Sequence, residues 1–373
     1  MQKIRFRLSI DYKENTMKKL RIAIIGQGRS GRGIHGEYFL SAANQKFEVV
    51  AIVDAIPERL EKGMKEFGCD GYSDYRELFT RKDIDLIVNA SFSHLHYAIA
   101  KDCLSHGYNV LNEKPFAKTV YECMDLIKTA KENGVVITAF HQSLYGPTII
   151  KLKEILASGK IGNVKQINLR YNGFGRRWDW QTLQSYCAGG VYNTAPHPIG
   201  IGLDLIDWDP AARVAYSHLD KALTSGDAND MAKIIITAPG KPIIDVEVNS
   251  ADAYAPKQIK ILGDRGTIYT GVSGDVEVKY IVDSELEPRP VTATPLTNPE
   301  TGKPMYCSEK LPIHEEAHST ESDTFASGSH IFYEKLYDTL VNGAPLYITG
   351  EKAMKAIEII EAVHAQNPMP LKY

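Results

Sequence analysis

Leu20-Arg-Ile-Ala-Ile-Ile-Gly26-Gln-Gly28-Arg29-Ser30-Gly31 is the stretch from which the rest of the chain can be read. Ile22–Ile25 is short, apolar on both faces and closed by a glycine turn, the pattern of a buried parallel strand. Gly26 permits the tight turn, Gly28 lets the backbone approach a ligand, and Gly31 allows the following helix to pack on the strand. A helix starting there offers N–H groups and a positive dipole end to phosphates. The segment therefore reads as a dinucleotide cradle, with Arg29 and Ser30 among its contacts. Asp54 ends the next strand, Val49–Val53. A carboxylate there accepts hydrogen bonds from both adenosine ribose hydroxyls and repels a 2′-phosphate. This favours NAD over NADP, with Arg59 nearby as the counter-argument. A methyltransferase also pairs a glycine turn with an acidic strand end. It gives no role to a second motif, Asn112-Glu113-Lys114-Pro115, which puts a charged amine after a later strand of the same sheet.

Outward from the turn, apolar runs at Leu86–Asn89, Asn109–Leu111 and Val135–Phe140 alternate with helical spacing over Ile56–Phe67, His96–His106 and Val120–Asn133. Gly107 and Gly134 close two of these helices. Right-handed crossovers then give a doubly wound parallel sheet over residues 17–140. The pattern changes beyond residue 140. After a helix at Ile149–Leu156, strand-like runs follow at Val164–Tyr171, Lys233–Thr237, Ile243–Asn249, Gln258–Leu262, Thr267–Thr270 and Val276–Ile281. Such a series implies a mostly antiparallel open sheet with one covered face, so residues 141–373 read as a separate α+β domain. Helices at Phe325–Val341 and Glu351–Ala365 end it. Residues 284–323 carry six prolines without periodicity and read as an irregular excursion.

The bulk numbers exclude several classes. A length of 373 residues suits two domains. A net charge of -3 with no dense basic stretch gives no attraction for nucleic acid. Five scattered cysteines without a CxxC pair read as reduced thiols in a cytoplasmic protein. No apolar run approaches the length of a membrane span. Residues 1–16 read as a dispensable leader, and Met17 as an alternative start.

On these residues the chain resembles the Gfo/Idh/MocA oxidoreductases. The resemblance is carried by the Gly26/Gly28/Gly31 turn, Val53-Asp54 with Pro57-Glu58-Arg59, Ser93-His94-Leu95-His96, and above all Glu113-Lys114-Pro115. It continues through Gly159-Lys-Ile-Gly162, Gly189-Gly190 leading to Asn193-x-x-x-His197, and Ile261-Leu262-Gly263-Asp-Arg-Gly266. It implies a Rossmann domain carrying NAD(P), a back domain whose sheet supplies substrate and subunit contacts, and a Lys-Pro bond that is often cis. It places Lys114 and His197 at the nicotinamide, and Ser91, Phe92 and Glu113 among the cofactor contacts, with His96 at a helix start in a capping or cofactor-packing role. An imidazole suits proton transfer from a secondary hydroxyl, and an ammonium beside the same oxygen stabilises developing alkoxide charge.

Three positions depart from the family pattern. Asn193 replaces the usual aspartate four residues before the histidine, so it positions substrate by hydrogen bonding and cannot stabilise an imidazolium by charge. Phe92 replaces a proline, and either stacks beside the nicotinamide or plugs the turn. The arginine usual after the sixth strand is missing from His141-Gln-Ser-Leu-Tyr145. With Arg177, Trp178, Trp180 and Tyr145 available for sugar faces and hydroxyls, this favours a neutral carbohydrate over a carboxylate.

The expected activity is NAD-dependent hydride transfer at a secondary hydroxyl of a neutral sugar, polyol or glycoside. Lys114, His197 and Asn193 are the expected catalytic set, in a homodimer or tetramer built through the back-domain sheet. Two alternatives stand beside it: glycoside cleavage with NAD recycled through a 3-keto intermediate, and a non-catalytic NAD- or sugar-binding regulator. His314-Glu315-Glu316-Ala317-His318 matches the zinc-protease spacing, but that motif needs a helix with one buried face. It follows Pro312 in a polar segment, and no metal is expected.

Overall fold

The computed structural model describes residues 18–254, 257–271, 275–306, 308–320 and 325–368. The first sheet is parallel, with strands β1 (Leu20–Ile25), β2 (Phe47–Val53), β3 (Asp70–Tyr72), β4 (Leu86–Asn89), β5 (Asn109–Asn112) and β6 (Ile137–Ala139) in the order β3-β2-β1-β4-β5-β6. Its central strands are buried on both faces because helices cover both. These include α1 (Glu37–Leu40), α2 (Pro57–Phe67), α3 (His96–Ser105) and α4 (Val120–Glu132). Strand order reverses between β1 and β4, so the crevice at their carboxyl ends is the switch point where such sheets bind ligands.

Beyond α5 (Pro147–Ala157), the chain builds a second sheet. Its first strand is β7 (Val164–Tyr171), followed after α6 (Gly190–Asn193) and α7 (Pro196–Asp204) by the rest. These are β8 (Arg213–Asp220), β9 (Met231–Thr237), β10 (Ile243–Asn249), β11 (Lys257–Gly263), β12 (Gly266–Thr270), β13 (Val276–Tyr280) and β14 (His314–His318). The order is β14-β13-β12-β11-β7-β10-β9-β8, antiparallel except for the β7–β10 pair. Alternation decides its faces. Ile234, Ile236, Ile244, Val246, Ile259 and Ile261 are buried, while Lys233, Asp245 and Glu247 form ion pairs on the other side. Helix α7 lies on the apolar face so closely that a Cβ on Gly202 would come within 2.7 Å of Ile244.

Two helices, α8 (Phe325–Asn342) and α9 (Gly350–Gln366), then return to the first sheet. Tyr333 of α8 is fully buried against Tyr38, Phe39 and Phe47, and Lys46 Nζ pairs with Glu334 at 2.6 Å. Thr138 of β6 donates to the carbonyl of Ile348 just before α9, and Ser217 of β8 donates to Gln366 at its end. The chain's last helices thus tie the two sheets together.

Three strands stand where the sequence pattern shows none: β3, β8 and β14. Each is the outermost strand of its sheet. The excursion expected at 284–323 is accordingly shorter, since residues 314–318 pair with β13. On a strand, two residues four positions apart share a face but lie roughly 13 Å from each other. His314 and His318 therefore cannot meet at one metal; they contact Glu285 and Glu316 instead.

Candidate active site

At the glycine turn, backbone crowding separates the three glycines by role. A Cβ on Gly31 would sit 1.7 Å from the Gly26 carbonyl oxygen, and one on Gly26 2.5 Å from that of Ala90. Gly26 also has a φ of +90°, which favours glycine. At Gly28 the nearest atom to a Cβ would be Arg59 Nη1, 3.8 Å away. Space is therefore kept open where a pyrophosphate would approach. The first helical bond runs from Arg32 N to Gly28 O, so the amides at residues 29–31 are those a helix start leaves without an intrahelical partner. Asp54 accepts from Gln27 N at 2.7 Å and Ile56 N at 2.8 Å, which pins the turn to the end of β2. A carboxylate has about four acceptor sites, so two remain for ribose hydroxyls. These residues fit a nicotinamide dinucleotide: residues 26–31 for the phosphates, Asp54 for the adenosine ribose, and Arg59 beside it.

At the ends of β4 and β5, Asn89 and Asn112 are both fully buried, with Asn89 Nδ2 donating to Asn112 Oδ1 at 2.7 Å. Ser91 Oγ donates to Asn89, and Asn112 Nδ2 to the Phe116 carbonyl. Between these fixed points runs Glu113-Lys114-Pro115, with a cis Lys114–Pro115 bond. Lys114 is half-buried, and its Nζ donates to the backbone carbonyl of Asn193 at 3.1 Å. Burial pushes its ammonium below the ordinary lysine range; Glu113 acts the other way, while Arg29 and Arg177 add to the lowering. Burial alone would raise the Glu113 carboxyl, yet His35 and Lys114 hold it at about 2.

On the other side of the seam, α6 and α7 carry Asn193 and His197. The His197 ring is held by Ser143 Oγ, 3.1 Å from Nδ1. A neutral hydroxyl thus meets one nitrogen of the imidazole. Asn193 does not aim its amide as expected: Nδ2 donates to the Gln181 carbonyl, Oδ1 is buried with no partner among the described residues, and the contact to Lys114 is made by the backbone. Phe92 meets Trp180 (ring centroids 5.0 Å) and Tyr186 (5.5 Å) edge-on, so the loop after β4 touches the turns after β7. Arg177 pairs with Asp179.

Several expected contacts lie elsewhere. His96 is only 2% exposed, with Nδ1 donating to the Pro115 carbonyl at 2.7 Å and Nε2 facing that of Ser91 at 3.2 Å. Its ring ties the β4 loop to the lysine turn, the packing role at a helix start. Tyr145 is buried against Phe332 and Tyr347, inside the packing of α8, so it is withdrawn from the substrate set. Trp178 is 81% exposed and remote from such packing. Conversely, Ser143, His35, Asn89 and Asn112 carry roles that the sequence reading did not assign. His141, at the end of β6, is buried, and burial followed by Lys114 pushes its imidazole down to about 4.

A parallel sheet with a glycine turn at its switch point, joined to an open antiparallel sheet across a lysine, defines a two-domain, NAD(P)-binding oxidoreductase class. The comparisons agree: residues 20–141 match the oxidoreductase family with an NAD-binding Rossmann fold, and residues 149–269 match the GFO/IDH/MocA C-terminal domain. The chain belongs to the Gfo/Idh/MocA family. It is 21% identical over 347 residues to scyllo-inositol 2-dehydrogenase (NADP(+)) IolW of Bacillus subtilis (strain 168), covering 92% of each chain. To 2,7-anhydro-N-acetylneuraminate hydratase of Mediterraneibacter gnavus it is 26% identical over 259 residues, covering 68% of this chain and 67% of the relative. Among solved structures, GenD2 from gentamicin A biosynthesis, in complex with NAD, superposes with a TM-score of 0.75 at 19% identity, covering 94% of this chain and 95% of that one. Among the described residues no helix is long and apolar enough to cross a membrane, and no cluster of three metal-ligating side chains occurs.

Proposed function

We propose that this chain is a cytoplasmic, NAD-dependent oxidoreductase acting on a secondary hydroxyl, or the matching ketone, of a neutral sugar, polyol or glycoside. The observation that carries this reading is the reach of Lys114 from the first sheet to the Asn193 carbonyl, four residues before His197. A bound nicotinamide supplies or takes the hydride. Lys114 donates a hydrogen bond to the substrate oxygen and stabilises negative charge developing there. His197, its ring fixed by Ser143, takes the hydroxyl proton or returns it. Phe92, Trp180 and Tyr186 pack against one another where the loop after β4 meets the turns after β7. Asp54 supports NAD as the preferred cofactor; the NADP-linked relative and Arg59 make the comparison of both cofactors part of the test.

A homo-oligomer is proposed through the open face of the second sheet, where Gln166, Asn168, Arg170, Gln258 and Lys260 line a shallow groove. Sedimentation of the purified protein as a monomer at micromolar concentration would remove that part.

The main test is absorbance at the reduced-nicotinamide band with neutral sugars, inositols and aryl glycosides, using NAD and NADP in parallel. Substrate-dependent NADH formation is expected, with kcat/KM at least tenfold higher for NAD. Lys114→Ala should lower turnover roughly 10³-fold while cofactor binding persists, on the scale of a lost oxyanion donor. The hydratase relative favours one second reading, cleavage with the hydride returned to the substrate. Release of the aglycone without net NADH would select it, and no turnover at all would sink both.

A further inference from the structure

Behind Lys114 lies a chain of buried polar groups that the reaction as described does not use. Glu113 Oε2 accepts from the backbone N–H of Lys114 at 2.9 Å. Its other oxygen, Oε1, lies 3.3 Å from His35 Nε2, and His35 Nδ1 lies 2.7 Å from the hydroxyl of Tyr333. Glu113 is 3% exposed, and His35 and Tyr333 are both 0% exposed. Three distant segments thus converge on one carboxylate.

His35 owes its inward aim to the helix start after the glycine turn. That helix opens with a wider π turn, in which His35 N donates to Ser30 O, five residues back, at 3.0 Å. Tyr333 comes from α8, near the other end of the chain, and stacks on Tyr38 with ring centroids 4.7 Å apart. Burial keeps the Tyr333 hydroxyl far above its ordinary pKa, so it remains a donor at any working pH. With Tyr333 donating to Nδ1, the other ring nitrogen is the one presented to Glu113, an approach of 3.3 Å that falls short of an aligned hydrogen bond.

A buried carboxylate is costly unless it is paired and hydrogen-bonded. The residue it serves is the next one along, through both its backbone and its charge. We propose that His35 and Tyr333 are positioning residues that act through Glu113 to set the aim and the protonation of Lys114, so that the docking of α8 governs the active-site amine. This rests on the reading of Lys114 as the group that meets the substrate oxygen. Charges facing the amine come from Glu113 beside it, Arg29 of the glycine turn and Arg177 after β7, while the imidazoles of His96 on α3 and His141 after β6, both pushed down by burial, stand nearby as neutral rings. Only Glu113 among them is anionic. Its loss leaves the ammonium among cations in a half-buried place, and the proton should leave at lower pH.

The test reads Lys114 directly in full-length protein without cofactor. Acetic anhydride labelling across pH, followed by mass spectrometry of the peptide holding residue 114, gives the amine's titration midpoint. Glu113→Gln should move that midpoint down by at least about one pH unit. Tyr333→Phe removes one oxygen and keeps the stack on Tyr38, so it should fold. It should move the midpoint in the same direction by less, and lower kcat about threefold to tenfold with KM for NAD unchanged. If both variants label Lys114 with the wild-type midpoint, whatever their melting temperatures, the positioning role is overturned. Full turnover by Lys114→Ala would instead overturn the functional reading, which the labelling curves do not measure.

Discussion

The two sides of the active-site seam are built differently. On the first sheet, the site is made of consecutive residues at strand ends. The glycine turn works through its backbone, and Glu113-Lys114-Pro115 is fixed by the amides of Asn89 and Asn112 beneath it. On the second sheet's side, His197 comes from α7, its partner Ser143 from the loop after β6, and Trp180 from a turn after β7. One side is a pair of short motifs; the other is an assembly of single side chains. Backbone sites tolerate no change of shape at their crowded points, whereas assembled sites degrade one contact at a time.

The sharpest way to break that contrast is within the glycine turn. Gly31→Ala places a Cβ 1.7 Å from a carbonyl oxygen, and nothing flexible can yield. Cofactor affinity should fall at least 100-fold and the melting temperature should drop. Gly28→Ala meets only the tip of Arg59 at 3.8 Å, so it should melt like wild type and lose about tenfold in affinity. Fluorescence titration with NADH beside thermal melts separates the two. Equal melting losses would mean the turn is not the rigid frame described.

A smaller effect is expected across the seam. Ser143→Ala removes the hydroxyl that holds the His197 ring and should lower kcat about fivefold, with a displaced pH profile and unchanged NAD affinity. If NAD affinity falls as far as kcat, the serine serves the fold rather than the histidine.

The smallest effect concerns pH and stability. His141 and His364 are both pushed by burial to about 4 from an ordinary value of 6.5. Between those values the unfolded chain binds more protons than the folded one, so stability falls as pH drops through 6.5 towards 4. Glu113, held at about 2 from 4.5, adds its loss only below 4.5. Melting temperature should therefore decline in two stages, and His364→Phe, which retains a ring against Tyr192, should flatten the first. A profile level down to pH 4.5 would contradict the histidine share.

Both sheets, and the motif half of the site, were legible in the sequence because burial on one or both faces leaves periodic apolar runs. The strands β3, β8 and β14 were not, and all three are edges. An outermost strand has a neighbour on one side only and carries polar residues such as His314-Glu-Glu-Ala-His318, which guard against pairing with other chains. The side-chain half of the site was harder for a different reason. Ser143 and Tyr333 acquire meaning only from partners 54 and 298 residues away. His35 left a usable trace: it follows Gly31 by four positions, on the face of the helix that Gly31 packs inward. Tyr145 misled because an aromatic near a strand end reads alike whether it faces the seam or the core.

The bond from Lys114 to the Asn193 carbonyl has one more consequence. A free lysine side chain gives up about 1.5–2 kcal/mol of rotamer entropy when it is ordered. Here that ordering accompanies folding, since the amine already spans the two sheets. On the proposed reading, a substrate oxygen entering beside it meets a stationary donor and need only displace or share one carbonyl contact. The cost of immobilising the amine then falls on the stability of the fold, and the proposed reaction would start each time without it.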